Sequence, residues 1–205
     1  MKLYDFPGAP NPRRVKIFAA EKDIVLELVN VNLAGREHKD PDFLQKSPSG
    51  KIPVLELDDG RCIAESIAIS RYLESLVPEP NLFGRDAFET AQIEMQHRFI
   101  ELELFAQVGI SWVNGPIVAK MGLVDPIEAA KQRSDGLVKA YYQRLNTELA
   151  QRDYIAGDRF TIADISGVCC IDFASAMVGL KPADDLTALA AWLARVHERP
   201  GLQSV

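Results

Sequence analysis

Five short groupings in the first seventy residues carry the side chains and backbone signals needed to hold a small zwitterion. Glu65-Ser66 places a carboxylate and a hydroxyl where a strand gives way to a helix. The first amides of a helix are unpaired, and its dipole favours negative charge there. Glu65 against an ammonium, with Ser66 and those amides against a carboxylate, suits an α-amino acid head group. Read alone, the pair is a helix cap beside a solvated acid. Arg13-Arg14 and His38-Lys39 each read alone as a solvated face; together with Lys51 they supply positive charge for a second carboxylate. In Gly50-Lys51-Ile52-Pro53-Val54 a proline enters a strand, where it cannot donate to a ladder. Most such prolines are trans at a strand edge. A cis bond would fix a turn and leave the preceding backbone free for an extended peptide. Asn11-Pro12 reads as a helix start, with Asn as N-cap and Pro at the first helical position. The side-chain NH₂ of Asn11 then remains a donor at the positive end of that helix.

Other chemistries lack their residues. The three histidines, His38, His97 and His197, have no metal-site spacing, and no metal is expected. Cys62, Cys169 and Cys170 form neither a CxxC motif nor a disulfide framework. The net charge is −6, divided as −1 over residues 1–78 and −5 over 79–205. An acidic balance argues against nucleic acid, and anion binding belongs in the near-neutral first part. No long apolar stretch marks a signal or a membrane span, so a reduced, cytoplasmic protein is expected.

These groupings need elements to position them. Lys2–Phe6 and Val25–Val31 read as strands around a helix that starts at Asn11-Pro12, with Val15, Phe18 and Ala19 on its apolar face. Pro41–Lys46 is a short helix. Ile52–Leu57 and Arg61–Ala64 flank Asp59-Gly60, a hairpin signal. Ser66 caps a helix carrying Ile67, Ile69, Tyr72, Leu73 and Leu76. The order is βαβαββα, with a parallel opening pair and an antiparallel hairpin. Two prolines and a glycine in Val77–Arg85 mark a linker. The expected division is 1–78, a linker at 79–86, and an all-helical domain at 87–205. In the latter, Ala87–Val108, Pro126–Gln151, Ile165–Val178 and Ala188–His197 carry helical patterns, and Thr161-Ile162-Ala163-Asp164 fits a capping box.

The groupings occur in one order, and in that order the chain resembles the cytosolic glutathione transferases. The resemblance is carried by Pro7–Val15, Glu37-His38-Lys39, Pro48–Leu55, Glu65–Ile69 and, in the helical half, Ala156–Asp164. It implies a thioredoxin-like α/β N-terminal domain joined to an all-α C-terminal domain. It also implies a cis Pro53. Glutathione would be held by Pro10, Asn11, the Ile52 backbone beside Pro53, and Glu65 and Ser66 at the γ-glutamyl head. His38, Lys39 and Lys51 would lie towards the glycyl carboxylate. A homodimer is implied as well, with Arg61, Arg71 and the striped helix Ala87–Val108 as weak support.

One departure matters. The family's tyrosine, serine or cysteine is missing: the turn reads Pro7-Gly8-Ala9, neither Ser nor Cys occurs before Lys46, and Tyr4 reads as core. A free thiol has a pKa of about 8.5 and must be lowered to act as a nucleophile. Two units correspond to about 2.7 kcal/mol of preferential anion stabilisation. Asn11 with the helix terminus, including the Arg13 and Arg14 amides, supplies about 1–3 kcal/mol. Ser111 and Asn114 are the alternatives. The second substrate is expected to be a small apolar electrophile lined by Phe6, Phe105, Trp112, Asn114, Met121 and Phe173, in a detoxifying conjugation. Glutathione-dependent reduction of a disulfide or peroxide, and non-catalytic ligand binding, are the competing readings.

Overall fold

A computed structural model describes residues 1–205, which divide into two compact units: Met1–Leu82 with Arg199–Val205, and Phe83–Glu198. The tail from Arg199 therefore belongs with the first unit, against the expectation that all of 87–205 is one helical domain. Pro200-Gly201 does not merely close the preceding helix; it opens a short one, Pro200–Gln203.

The first unit runs β1 (Lys2–Asp5), α1 (Pro10–Ala20), β2 (Glu27–Asn30), α2 (Pro41–Lys46), β3 (Val54–Glu56), β4 (Cys62–Ala64) and α3 (Ser66–Leu76). A single 3₁₀ turn, Glu37–Lys39, precedes α2. The sheet order is β2-β1-β3-β4. β1 and β2 are parallel; β1–β3 and β3–β4 are antiparallel. β2 is shorter than expected, and Val25 is 91% exposed, because the chain reaches the sheet only at Glu27.

Strand alternation assigns the two faces. Leu3 and Leu55 are in register and fully buried, as are Val15, Ile17 and Phe18 of α1 and Ile69 and Leu73 of α3. Tyr4 and Val54, also in register, belong to the other face with Val31 and Phe43 of α2. Tyr4 meets Phe43 edge-to-face at 5.8 Å. Its hydroxyl donates to Glu56 Oε2 at 2.8 Å, and burial raises its pKa. Tyr4 is half-buried and packs against this cluster rather than lying wholly within the core.

In the second unit α4 (Ala87–Phe99) passes through a π-helical stretch, Ile100–Phe105, into α5 (Ala106–Val113). There follow α6 (Pro116–Lys120), α7 (Glu128–Leu149), α8 (Ile162–Phe173), a second π-helical stretch, Ala174–Val178, and α9 (Thr187–His197). Residues Ile162–Ile171 of α8 are all buried, so the other helices pack around it. Its start is the expected capping box. Asp164 accepts from Thr161 N and Ile155 N, both at 2.9 Å, from Thr161 Oγ1 at 3.1 Å and from Trp192 Nε1 at 2.9 Å. No helix is long and apolar enough to cross a membrane.

Candidate glutathione-binding site

α1 starts two residues earlier than the sequence reading. Ala9, extended at φ −74°, ψ 129°, is the N-cap, Pro10 takes the first helical position, and Asn11 the second. Asn11 is therefore not the cap. Pro10 is preorganised for the first position, where a missing N–H costs nothing. Pro12 lacks an N–H too, and Arg13 N donates to Ala9 O at 3.3 Å. The Arg13 amide is thus unavailable to a ligand, contrary to expectation. Asn11 alone supplies the start of α1 with free donors: its backbone N–H and its side-chain NH₂. The oxygen of that side chain caps nothing.

α3 begins in the same manner, without a side-chain cap. Ser66 does not cap it. Glu65 is the N-cap residue and adopts φ +69°, ψ 117°, a left-handed conformation that strains a side-chain-bearing residue by about 1–3 kcal/mol. The first α3 N–H with a backbone partner in the helix is that of Ile69, bonded to Glu65 O at 3.0 Å. The Ser66 and Ile67 amides before it are oriented for an anion. Ser66 Oγ accepts from Arg14 Nη1 at 3.0 Å, which leaves the hydroxyl proton to donate. This bond joins the starts of α1 and α3. Arg14 is 2% exposed, so the solvated-face reading of Arg13-Arg14 fails for it. A signal for this was present, because Arg14 precedes Phe18 by four residues and so shares its buried face.

The Ile52–Pro53 bond is cis, as the resemblance implied; Glu79–Pro80 is cis as well, which was not expected. β3 begins at Val54, so the N–H and C=O of Ile52 lie outside the ladder. The basic residues gather around Gly50, whose φ is +59°. A Cβ there would lie 2.8 Å from His38 O and 2.9 Å from Lys39 Nζ. Lys39 Nζ donates to Gly50 O at 3.2 Å, and Ser47 Oγ accepts from Lys51 N at 3.2 Å. The 3₁₀ turn and the strand entry are thereby held side by side, with Lys51 exposed. Burial, with Lys39 and Arg36 nearby, lowers the His38 pKa.

The helical unit rearranges the remaining candidates. Ser111 is fully buried and donates to Asp135, which also accepts from Lys131 Nζ at 2.6 Å. Its one proton is committed, so it is not a free donor for sulfur. Asn114 donates to Ile110 O at 2.9 Å and accepts from Ile127 N at 2.7 Å, closing a loop rather than presenting its amide. Trp112 meets Phe173 edge-to-face at 5.2 Å. Phe105 and Trp112 are half-buried, Phe6 of the first unit likewise, and Met121 is 58% exposed.

Two family models match the chain. The N-terminal domain of glutathione S-transferases covers residues 1–75 and the C-terminal domain covers 112–200. The chain belongs to the glutathione S-transferase family. It is 38% identical to "Glutathione S-transferase 2" of Saccharomyces cerevisiae, over 100% of this chain and 89% of that protein. The crystal structure of Gtt2 from Saccharomyces cerevisiae superposes with a TM-score of 0.89 at 35% identity, covering 100% of this chain and 99% of that one. A glutathione S-transferase domain-containing protein of Marinobacter aquaeolei gives the same TM-score and identity, over 98% and 100%. The chain is also 32% identical to a probable elongation factor 1-gamma of Arabidopsis thaliana, over 87% of this chain; it spans 42% of that protein. The thioredoxin-like and all-helical halves are those of this transferase family.

Proposed function

We propose that this transferase binds glutathione in its first unit, holds it as the thiolate with Asn11, and transfers it to small hydrophobic electrophiles. The observation that carries the reading is the Arg14–Ser66 bond, which brings together two helix starts that each lack a side-chain cap. Ser66 and the first α3 amides take the γ-glutamyl carboxylate, and Glu65 takes its ammonium. The free backbone groups of Ile52 pair with the cysteinyl part. Lys39, Lys51 and His38 face the glycyl carboxylate, with the two lysines supplying the charge. Pro10 shapes the turn beside Asn11.

The sulfur then lies at the start of α1. The Asn11 NH₂ and N–H donate to it, and the helix dipole adds to them. A thiolate so stabilised attacks the electrophilic carbon; the carbon–sulfur bond forms as the leaving group departs with its electron pair. Phe105, Trp112, Phe173 and Met121 supply apolar and aromatic surface suited to such substrates. The same thiolate serves disulfide or peroxide reduction. The likeness to elongation factor 1-gamma, together with the absent hydroxyl at Ala9, favours a second reading as a ligand-binding homologue. The protein acts as a cytoplasmic homodimer in this account. The groove of about 450 Å³ lined by Leu102, Glu103, Gln107, Leu137, Ala140, Tyr141 and Arg144 supports a dimer, since Leu102 is 66% and Leu137 44% exposed.

Titration calorimetry with glutathione tests the binding half. Ser66→Ala and Glu65→Gln should each weaken affinity about tenfold or more, equivalent to about 1.4 kcal/mol. Unchanged affinity in both variants would remove the proposed site. Bound glutathione with turnover of neither an aryl halide nor a disulfide would select the ligand-binding reading.

A further inference from the structure

We infer that Tyr4, Glu56 and Lys46 form a clasp at the neck of the 47–53 loop, and that this clasp sets how strongly the first unit distinguishes glutathione from γ-glutamylcysteine, the same thiol without its glycyl residue. The loop leaves Lys46, the last residue of α2, and enters β3 at Val54. Ser47, fully buried, orders it from within: its hydroxyl donates to Lys51 O at 2.9 Å and accepts from Lys51 N at 3.2 Å, and Gly50 N donates to Ser47 O at 2.8 Å. Lys39 joins from the 3₁₀ turn through Gly50 O. These bonds tie the loop to itself and to that turn. The clasp ties it to the sheet. Tyr4 is in register with Val54, and Glu56 lies two residues further on, so both side chains belong to the face that α2 covers. The Tyr4 hydroxyl donates to Glu56 Oε2 at 2.8 Å, and the Lys46 ammonium pairs with the same oxygen. That ammonium also stands 5.4 Å from the centroid of the Tyr4 ring. One side chain each from β1, β3 and α2 thus meet at one point. The Lys46 bond holds the Glu56 carboxyl below the usual glutamate range, so the pair is ionic at neutral pH.

The consequence for the ligand rests on the proposed placing of the glycyl carboxylate at Lys39 and Lys51. Both lysines are fixed through the loop, one by Gly50 O and the other by Ser47, and Ser47 follows Lys46 directly. A loop already held in place binds without an ordering cost, whereas a loosened one pays that cost when the ligand arrives. The cost falls on the glycyl end alone. The γ-glutamyl end belongs to Glu65 and Ser66 at the start of α3, which share no bond with the clasp. The cysteinyl part belongs to the backbone of Ile52, whose side chain packs independently against the Val31, Phe43 and Val54 cluster. Tyr4, Glu56 and Lys46 are therefore positioning residues with a defined signature. Breaking the clasp weakens the ligand that has a glycyl carboxylate and spares the one that lacks it.

Titration calorimetry of the intact protein with each thiol in turn tests this, and the readout is the ratio of the two Kd values. The parent should bind glutathione at least tenfold more tightly than γ-glutamylcysteine. Glu56→Gln and Lys46→Met should each cut that ratio threefold or more, with γ-glutamylcysteine affinity within twofold of the parent. The double variant should lose no more than the worse single one, because the same clasp is broken in all three. Tyr4→Phe keeps the ring, lacks only the hydroxyl and should cut the ratio about twofold; it carries the test should a charge variant not fold. An unchanged ratio in every variant would overturn the clasp's role, and so would equal losses for both thiols, the mark of ordinary packing. Tighter glutathione binding by Glu56→Gln beside weaker binding by Lys46→Met would make Lys46 a direct ligand and overturn it as well. A parent that binds both thiols equally would remove the glycyl placing and the clasp's role together, and a parent that binds neither would remove the whole glutathione site.

Discussion

Asn11 stands between two prolines that have no N–H to give, and this isolation makes it the source of the donors at the start of α1. Its candidacy rests on what is missing around it: no Ser, Cys or suitably placed Tyr. Its geometry was not legible, because Pro10 and Pro12 both qualify as a first helical residue and only packing decides between them. The place of Glu65 and Ser66 at a helix start was legible, whereas the burial of Arg14 was hidden inside a basic doublet. The bond that commits the Ser111 hydroxyl was not legible, because its partner, Asp135, is distant in sequence. Ser111→Ala should therefore leave kcat/KM for glutathione transfer within twofold. It should lower stability by about 1–2 kcal/mol in urea denaturation, since Asp135 keeps Lys131. A tenfold loss of kcat/KM at unchanged stability would restore Ser111 as a catalytic residue.

Among the elements, α8 is the most tightly specified, and its capping box was read from four residues. All four partners of Asp164 donate to it, so an amide in its place would turn an NH₂ towards N–H groups. Burial raises the Asp164 pKa, yet removing its charge is not expected to help. Asp164→Asn should destabilise the fold by about 2–4 kcal/mol, measured by chemical denaturation. The start of α4 offers a pH test. Arg159 and Arg85 hold the Glu89 carboxyl well below the usual glutamate range. A depressed folded pKa stabilises above the unfolded value and is lost as pH falls through the folded one. The stability difference between the parent and Glu89→Gln should thus be largest near neutrality and shrink below about pH 4. A difference independent of pH would contradict this. The longer helices were legible by period but not in detail. The stripe Leu137, Tyr141, Leu145, Leu149 steps four residues at a time, and a row at that spacing turns about 40° per step relative to the helix. Leu137 consequently falls outside the buried face, which Val138 occupies. The two π-helical stretches had no sequence signal, since one extra residue in a turn leaves composition unchanged.

At the scale of the whole molecule, the two-part organisation was legible from the proline-rich linker and from the change of period beyond it. The return of Arg199–Val205 to the first unit was not, because it depends on Glu21, far away in sequence. The proposed homodimer gives a direct prediction. Sedimentation at micromolar concentration should give twice the 22.7 kDa of one chain, and Leu102→Glu, placing a carboxylate in the exposed groove, should shift the protein towards monomer. A parent sedimenting as one chain would remove the dimer. The central claim concerns one thiol, and ultraviolet thiolate absorbance against pH reads it directly, with glutathione bound to the parent and to Asn11→Ala. The account predicts a bound-thiol pKa below about 7 in the parent that rises towards about 8.5, the free-thiol value, in the variant. A bound pKa already near that free value in the parent, or a low one unmoved by the substitution, would contradict it.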